Sequence, residues 1–413
     1  VTNGRRKYQN KWRLLYCGNW IGIVGNNDQM SDAALRTSLL DLYYELQKKG
    51  VPLILGGGYG LYLKQTATDW DGTRTLITPE KWPSPRSTED LDLFLTAEVV
   101  GDAAQMDVIR QALDALGYEP IAKHFQFSKD PENKNEVKID LLTGPIPANF
   151  LEFVKVNYPR VGNRQASLQL HAHLTEEALS LNEELLCLQI DGKRSSGEAY
   201  TAPILVPNAF TFMLMKLHAF YDRIDSVEKA LGRHHALDLY RIIAMMNDKD
   251  YDTAKELINR HRDADPCKQA SFIIHDCFDH KDSIGLVRLQ EHESYRADMG
   301  FSDFSETLKD LFKDIERKKP IPRRAPKSQA ETVSSEGIVV SATQSPAQPV
   351  IPAGTVSKDK LDVWRGRITK ATSVEQIFTI LDEFRPYQWT DDDRAQMAKA
   401  YIMKIDRLKV DGH

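Results

Sequence analysis

Apolar positions along the chain change their period twice. Leu35, Leu39, Leu42, Tyr43 and Leu46 recur at three- and four-residue steps, which predicts an amphipathic helix opening at Met30-Ser31-Asp32, with Ser31 or Asp32 as its cap. Lys48-Lys49-Gly50 ends it, and Val51 to Leu55 reads as a short buried strand broken by Gly56-Gly57-Gly58. A helix is expected over 59–66. Residues 67–89 are polar and hold Pro79, Pro83 and Pro85, which predicts a long irregular loop. The pattern then alternates. Leu91, Leu93 and Leu95 lie opposite Asp90 and Asp92, and Ile139 and Leu141 lie opposite Asp140, as on half-buried strands. A helix over 102–116 and strands near 118–127, 136–142 and 185–191 complete a mixed α/β unit. From Pro207 onward the helical period takes over, near 207–224, 227–247, 251–262, 268–279, 283–296 and 304–318.

These patterns divide the chain into an N-terminal extension at 1–29, a mixed α/β domain at 30–200, a helical domain at 201–318, a linker at 319–358 and a small module at 359–413. Translation starting at Val1 and at Met30 fit the pattern equally. The linker holds six prolines among Ser, Thr, Ala and Gln, too few apolar groups to offset the entropy of ordering, so disorder is expected. Two helix-start signals, Ser373 with Gln376 and Thr390 before a run of aspartates, predict three short helices in the last module.

Composition narrows the classes. The chain has 413 residues, 41% of them hydrophobic, enough for real cores. Its 54 Lys and Arg against 59 Asp and Glu give a net charge of −5, which excludes a generally basic surface, so a nucleic-acid partner needs a local patch. The basic run Arg317-Lys318-Lys319 with Arg323, Arg324 and Lys327 is one candidate, against a plain solvated charge run. No stretch approaches the roughly 20 apolar residues of a membrane span, and no secretory signal opens the chain. With four scattered cysteines and no CxxC pair, a reducing, cytoplasmic location is expected. Cys267, His275, Cys277 and His280 cluster in sequence, but their spacing matches no zinc pattern.

Asp90 and Asp92, two residues apart on one strand, project to the same face, and Asp140 joins them if its strand is a neighbour. Three converging carboxylates repel one another unless cations sit between them, and they suit two Mg²⁺ ions that clamp attacking and leaving oxygens. Alternating acids also occur on solvated strand faces. The strand–glycine–helix turn upstream adds a phosphate-binding device, because glycine amides approach phosphate closely and a helix N-terminus favours negative charge. On the later helix, His235 and Asp238 interrupt an apolar stripe with Leu231, Leu239, Ile242 and Met245, so they require partners, either in a structural buttress or in a ligand site.

The order apolar strand, Gly-Gly, helix, Asp-x-Asp, later Asp resembles the DNA polymerase β-like nucleotidyltransferase superfamily. Gly57-Gly58-Tyr59-Gly60-Leu61 and Arg86-Ser87-Thr88-Glu89-Asp90-Leu91-Asp92 look most like its abortive-infection AbiEii group, over roughly residues 35–245. Tyr59 replaces a smaller residue and His235 stands where an acid is common. The resemblance implies an α+β fold, a polymerase β-like mixed sheet with helices followed by a helical domain and a small C-terminal helical module. It implies a Mg²⁺-dependent transfer of a nucleoside monophosphate from an NTP to an RNA end such as tRNA, a protein or a small molecule. Asp90, Asp92 and Asp140 hold two metal ions in that scheme. Gly57, Gly58, Arg86, Ser87 and Lys216 bind nucleotide, and His235 and Asp238 are accessory. It further implies a toxin with a cognate antitoxin, acting in phage defence. The alternative is a catalytically silent nucleotide-binding or interaction protein on the same fold.

Overall fold

The leucine period at the start of the chain forms helix α1 (Met30–Gln47), as its spacing predicts. The computed structural model describes residues 21–23, 30–71, 74–85, 88, 90–122, 125–130, 137–165, 170–320, 358–372 and 374–384, and single positions at 396, 397, 400, 401 and 404. Strand β1 (Ile21–Ile23) precedes α1, and β2 (Ile54–Leu55) leads through Gly56 into α2 (Gly57–Asp71). Strand β3 (Asp90–Leu95) follows, then α3 (Ala97–Gly101) and α4 (Ala103–Ala115), the latter capped by the Asp102 carboxylate, which accepts from the Ala104 and Gln105 amides. The remaining strands are β4 (Glu119–Ala122), β5 (Gln126–Ser128), β6 (Lys138–Thr143), β7 (Val154–Asn157), β8 (Arg160–Asn163), β9 (His171–Leu174), β10 (Leu186–Lys193) and β11 (Ala199–Val206).

The described strands form one mixed sheet in the order β1-β10-β11-β2-β3-β6-β9-β8-β7, with the β4–β5 hairpin joined to β6. β3, β6 and β9 are mutually parallel, while β2 runs antiparallel to β3. Leu91, Leu93, Leu95, Ile139 and Leu141 are all at most 1% exposed, so one face of β3 and β6 is core. The helical half packs on the same hydrophobic core. It comprises α5 (Ala209–Tyr221), α6 (Arg233–Ala244), α7 (Asp248–Arg260), α8 (Asp265–Cys277), α9 (Ile284–Gln290) and α10 (Phe301–Phe312). Asn208 and Asn247 cap α5 and α7 through side-chain oxygens that accept from the Thr211 and Asp250 amides, each at 2.8 Å.

Three expectations are corrected. Residues 67–89 are not wholly irregular: α2 continues to Asp71, and Pro79–Lys81 forms a 3₁₀ turn. Ile77 and Trp82 are buried there, the Trp82 indole N–H donates to Ile77 O at 2.8 Å, and the Leu76 amide donates to Met246 O at 2.7 Å. The loop thus has its own apolar anchors. The helix expected over 227–247 breaks at Gly232, whose φ of +73° and close approach to Phe220 end a 3₁₀ segment before α6 begins, so Leu231 lies outside the stripe that holds Asp238. The sheet is larger than the apolar pattern predicts, because β7, β8, β9 and β11 are short or alternate with polar residues.

The chain divides into two compact units, Val1–Lys327 and Ser328–His413. In the second, α11 (Lys358–Lys370) and α12 (Val374–Phe384) pack Leu361, Ile368, Ile377, Leu381 and Phe384 into a separate small core. The extension at 1–29, except Ile21–Ile23, and nearly all of the linker at 319–358 lie outside the described residues, as does the helix start at Thr390. Among the described residues no helix is long and apolar enough to cross a membrane.

Candidate functional site

The site begins with a steric relationship. A Cβ on Gly57 would lie 1.6 Å from Asp92 Oδ2, and Gly57 has a φ of +60°, so only glycine fits where α2 starts against the Asp92 carboxylate. The Gly56 amide donates to Asp92 O at 2.8 Å, and a Cβ on Gly60 would lie 2.5 Å from Leu55 O. Strand, turn and helix are therefore pressed together, and α2, whose first turn contains Gly58, starts beside the Asp92 carboxylate, where the first amides of a helix fall outside its own hydrogen-bond ladder.

β3 and β6 pair in parallel with Asp90 opposite Lys138 and Asp92 opposite Asp140. Register partners share a face, so Asp90, Asp92 and Asp140 project together, opposite the leucine core, as their strand parity predicts. Asp140 is pushed up to about 7, first by burial, then by the neighbouring Asp92 and Asp90 carboxylates; a hydrogen bond from Gln126 and the Lys138 ammonium act in the other direction. Its Oδ1 is buried with no hydrogen-bond partner among the described residues. Lys138 and Gln126 escaped the sequence reading. Lys138 was legible by parity, two residues before Asp140, whereas Gln126 reaches the site through the β5–β6 pairing, with Gln126 opposite Asp140.

Among the described residues no group of three or more His, Cys, Asp or Glu is arranged as a metal cage. Asp90, Asp92 and Asp140 share a face without closing around an ion. The donor set nonetheless suits magnesium, which is commonly held by one or two carboxylates and completed by substrate phosphates and water. The raised Asp140 carboxyl, crowded by Asp92, is the group that a cation would relieve.

Of the remaining sequence candidates, Arg86 and Ser87 lie outside the described residues. Lys216, on α5, is 6% exposed, and its Nζ donates to Asp238 Oδ2 at 2.7 Å. Asp238, 0% exposed, also accepts from Arg241 Nη1 at 3.2 Å. Arg241 Nε donates to Gln65 Oε1 at 2.6 Å, and Gln65 Nε2 donates to Pro83 O at 3.0 Å. The partners that Asp238 requires are thus Lys216 and Arg241, and their network ties α5 and α6 to α2, the helix whose first turn abuts Asp92. His235 is half-buried on α6. Tyr59, the departure from the family pattern, is buried, and its hydroxyl donates to Asp32 Oδ1 at 2.9 Å.

The Cys267 and Cys277 side chains are buried in the helical core, whereas His275 and His280 are exposed, so the four do not converge. Lys318 pairs with Asp265, while Arg323, Arg324 and Lys327 lie outside the described residues.

A family model described as nucleotidyl transferase AbiEii toxin, type IV toxin–antitoxin system, matches residues 80–321, more than half of the chain. The match includes Asp90, Asp92, Asp140, Lys216 and Asp238 and begins after the glycine turn, which the fold brings to Asp92. No curated protein and no solved structure matches.

Proposed function

Because the chain belongs to the AbiEii nucleotidyl transferase toxin family of type IV toxin–antitoxin systems, we propose that it transfers a nucleoside monophosphate from an NTP to an acceptor hydroxyl at Asp90, Asp92 and Asp140. The observation that carries this reading is the contact of Gly57 with Asp92 beside the registered Asp92–Asp140 pair. It sets a phosphate-binding turn directly against a carboxylate pair.

In this reading the three aspartates hold Mg²⁺, which when bound neutralises charge on the triphosphate and leaving pyrophosphate. The first amides of α2, at Gly57 and Gly58, orient the phosphates. Lys216, with two further N–H donors beyond the one given to Asp238, contacts the triphosphate, and Arg86 and Ser87 complete that side. His235 and Asp238 are accessory, Asp238 by holding Lys216 and Arg241. Asp140, at the far side of Asp92 from the glycine turn, orients the acceptor hydroxyl. A bond forms between the hydroxyl oxygen and the α-phosphorus, the α–β phosphoanhydride breaks, pyrophosphate leaves, and Asp140 takes the hydroxyl proton. Burial and the Asp92 and Asp90 carboxylates raise Asp140 in the metal-free site; a bound cation would lower it again and leave an ionised carboxylate able to accept that proton.

The family's type adds a cognate antitoxin and a role as a toxin in phage defence, in the cytoplasm. The acceptor spans RNA ends such as tRNA, proteins and small molecules. Incubation of the chain with each labelled NTP, Mg²⁺ and total cellular RNA or protein tests the reading, with pyrophosphate release as a second readout. Asp92→Asn, which is isosteric, is expected to abolish transfer while keeping the fold. Transfer at the wild-type rate in that variant removes this site, and absence of transfer and pyrophosphate release in the wild type favours the catalytically silent alternative.

A further inference from the structure

Past Asp140 the same sheet face changes sign. Across the sheet, Leu142 of β6 is opposite His173 of β9, His173 opposite Arg160 of β8, and Arg160 opposite Asn157 of β7. One row over, His171 and Lys155 both flank Gly162. Register partners share a face and alternate residues return to it, so Asp140, Leu142, His171, His173, Arg160 and Lys155 all belong to the carboxylate face. Gly162 leaves the middle of this surface low: a Cβ there would lie 2.6 Å from His171 Cδ2, so the imidazole occupies that space.

The connection to the carboxylates is direct. Gln126 bonds to Asp140, and the ring of the adjoining Phe125 packs 5.4 Å from that of His173. The β7–β8 hairpin, residues 150–164, carries Lys155, Arg160 and Arg164 against the single acid Glu152, in a chain whose net charge is −5. Lys155 is exposed and Arg160 half-buried, and neither side chain has a hydrogen-bonding or ionic partner among the described residues. The carboxylates therefore lie between two anion-attracting surfaces, the first turn of α2 on the β2 side and this basic strip on the β9–β8–β7 side. An NTP accounts for one. A second is needed when the other reactant is also an anion.

We propose that the β9–β8–β7 face is the acceptor platform and that the acceptor carries a phosphate near its reacting hydroxyl, held by Arg160 and Lys155. The proposal rests on the nucleotidyl-transfer reading and names the chemistry of its second substrate. Arginine offers a bidentate fork to a phosphate and lysine a point charge, so the pair suits a phosphodiester of a polynucleotide end or the phosphate of a small ester.

The test uses the full chain, the double variant Lys155→Ala/Arg160→Ala and the conservative Lys155→Arg/Arg160→Lys, each checked by melting temperature. A fluorescent single-stranded oligoribonucleotide and glycerol 3-phosphate are the two probes, titrated at several salt concentrations. The expected result is oligoribonucleotide binding weakened about tenfold or more by the alanines, restored by the conservative variant, with the salt slope lowered by roughly 1.4 for two lost single-strand phosphate contacts. Strip-dependent binding of glycerol 3-phosphate alone supports the same platform with a small acceptor. Equal binding of both probes by wild-type and double-alanine chains, or by neither, overturns the platform. Mg²⁺-dependent binding of a fluorescent NTP analogue to the wild-type chain tests the underlying reading separately. Its absence overturns the acceptor assignment even where the strip binds phosphate, whereas its presence beside strip-independent probe binding faults the platform alone.

Discussion

Asp92 and Asp140 lie directly opposite each other on parallel neighbouring strands, and the second of them is pushed up to about 7 by burial and by the first. An aspartate in an unfolded chain titrates near 4. Between about pH 4 and pH 7 the folded chain therefore keeps a proton that the unfolded chain has lost, and stability declines as pH rises through that window. In metal-free buffer the loss from pH 4.5 to 8 should be on the order of 2 kcal/mol, since solvent screens a partly buried site. Asp140→Asn should flatten the profile, and thermal unfolding of both chains across that range decides it; parallel profiles refute the coupling.

The same crowding predicts a response to magnesium. At pH 8 a saturating concentration should raise the melting temperature of the wild type by about 2 °C, because an ion bound only to the folded state adds its binding energy to stability. Asp92→Asn removes one charge of the pair and should lose most of that increment. A matching rise in both chains places magnesium elsewhere.

Gly57→Ala tests the closeness of the glycine turn to the carboxylate. The new Cβ would sit 1.6 Å from Asp92 Oδ2 at a φ of +60°, so the turn or Asp92 has to move. A cost of roughly 1 to 3 kcal/mol is expected from the backbone strain, with transfer reduced by about 100-fold, since a misplacement of about 1 Å in a positioning site has that effect. Wild-type transfer by a folded Gly57→Ala chain would argue that the turn does not shape the site.

Much of this site was legible because its signals are local. The alternation at Asp90-Leu91-Asp92 fixes a face without knowledge of the partner strand, and Gly56-Gly57-Gly58 marks a turn by composition. Whether Asp140 stands beside Asp92 depends on a parallel pairing between distant segments, which parity permits but does not specify; the register supplies it. Gln126, His173 and Arg160 were invisible for the same reason, since strands of three or four residues carry too little alternation to be recognised and their meaning lies in what they pair with. Asp238 was recognisable as a polar group needing partners, but Gln65, at the far end of its network, was not.

Tyr59 shows how a departure from the family pattern is absorbed. Its hydroxyl donates to Asp32 Oδ1 at 2.9 Å, while Asp32 Oδ2 accepts from Arg36 Nη2 at 3.1 Å, joining α1 to α2. Tyr59→Phe removes one donor to a buried carboxylate and should cost about 1 to 3 kcal/mol. Turnover per folded molecule should stay within about twofold. A turnover loss without a stability loss would make Tyr59 a part of the site instead.

Lys216 and Asp238 allow the structural and catalytic roles of the helical half to be separated, because the two ends of this ion pair are not equivalent. Asp238 is shared by two cations, Lys216 and Arg241, both nearly fully buried. Lys216→Met leaves Asp238 still paired with Arg241, so the expected cost is about 2 kcal/mol. Asp238→Asn strands two buried cations at once, which should cost about 3 to 5 kcal/mol. In Lys216→Met/Asp238→Asn only Arg241 is left without its counter-charge, so the double variant should be more stable than the sum of the single losses implies. Transfer per folded molecule then distinguishes the roles. If Lys216 contacts the triphosphate, Lys216→Met should lower kcat/KM by about 100-fold while being the milder of the two single changes to the fold. Melting temperature and turnover on the same three chains show whether the two rank orders diverge; if activity follows stability in all three, Lys216 is a buttress and not a ligand of the nucleotide.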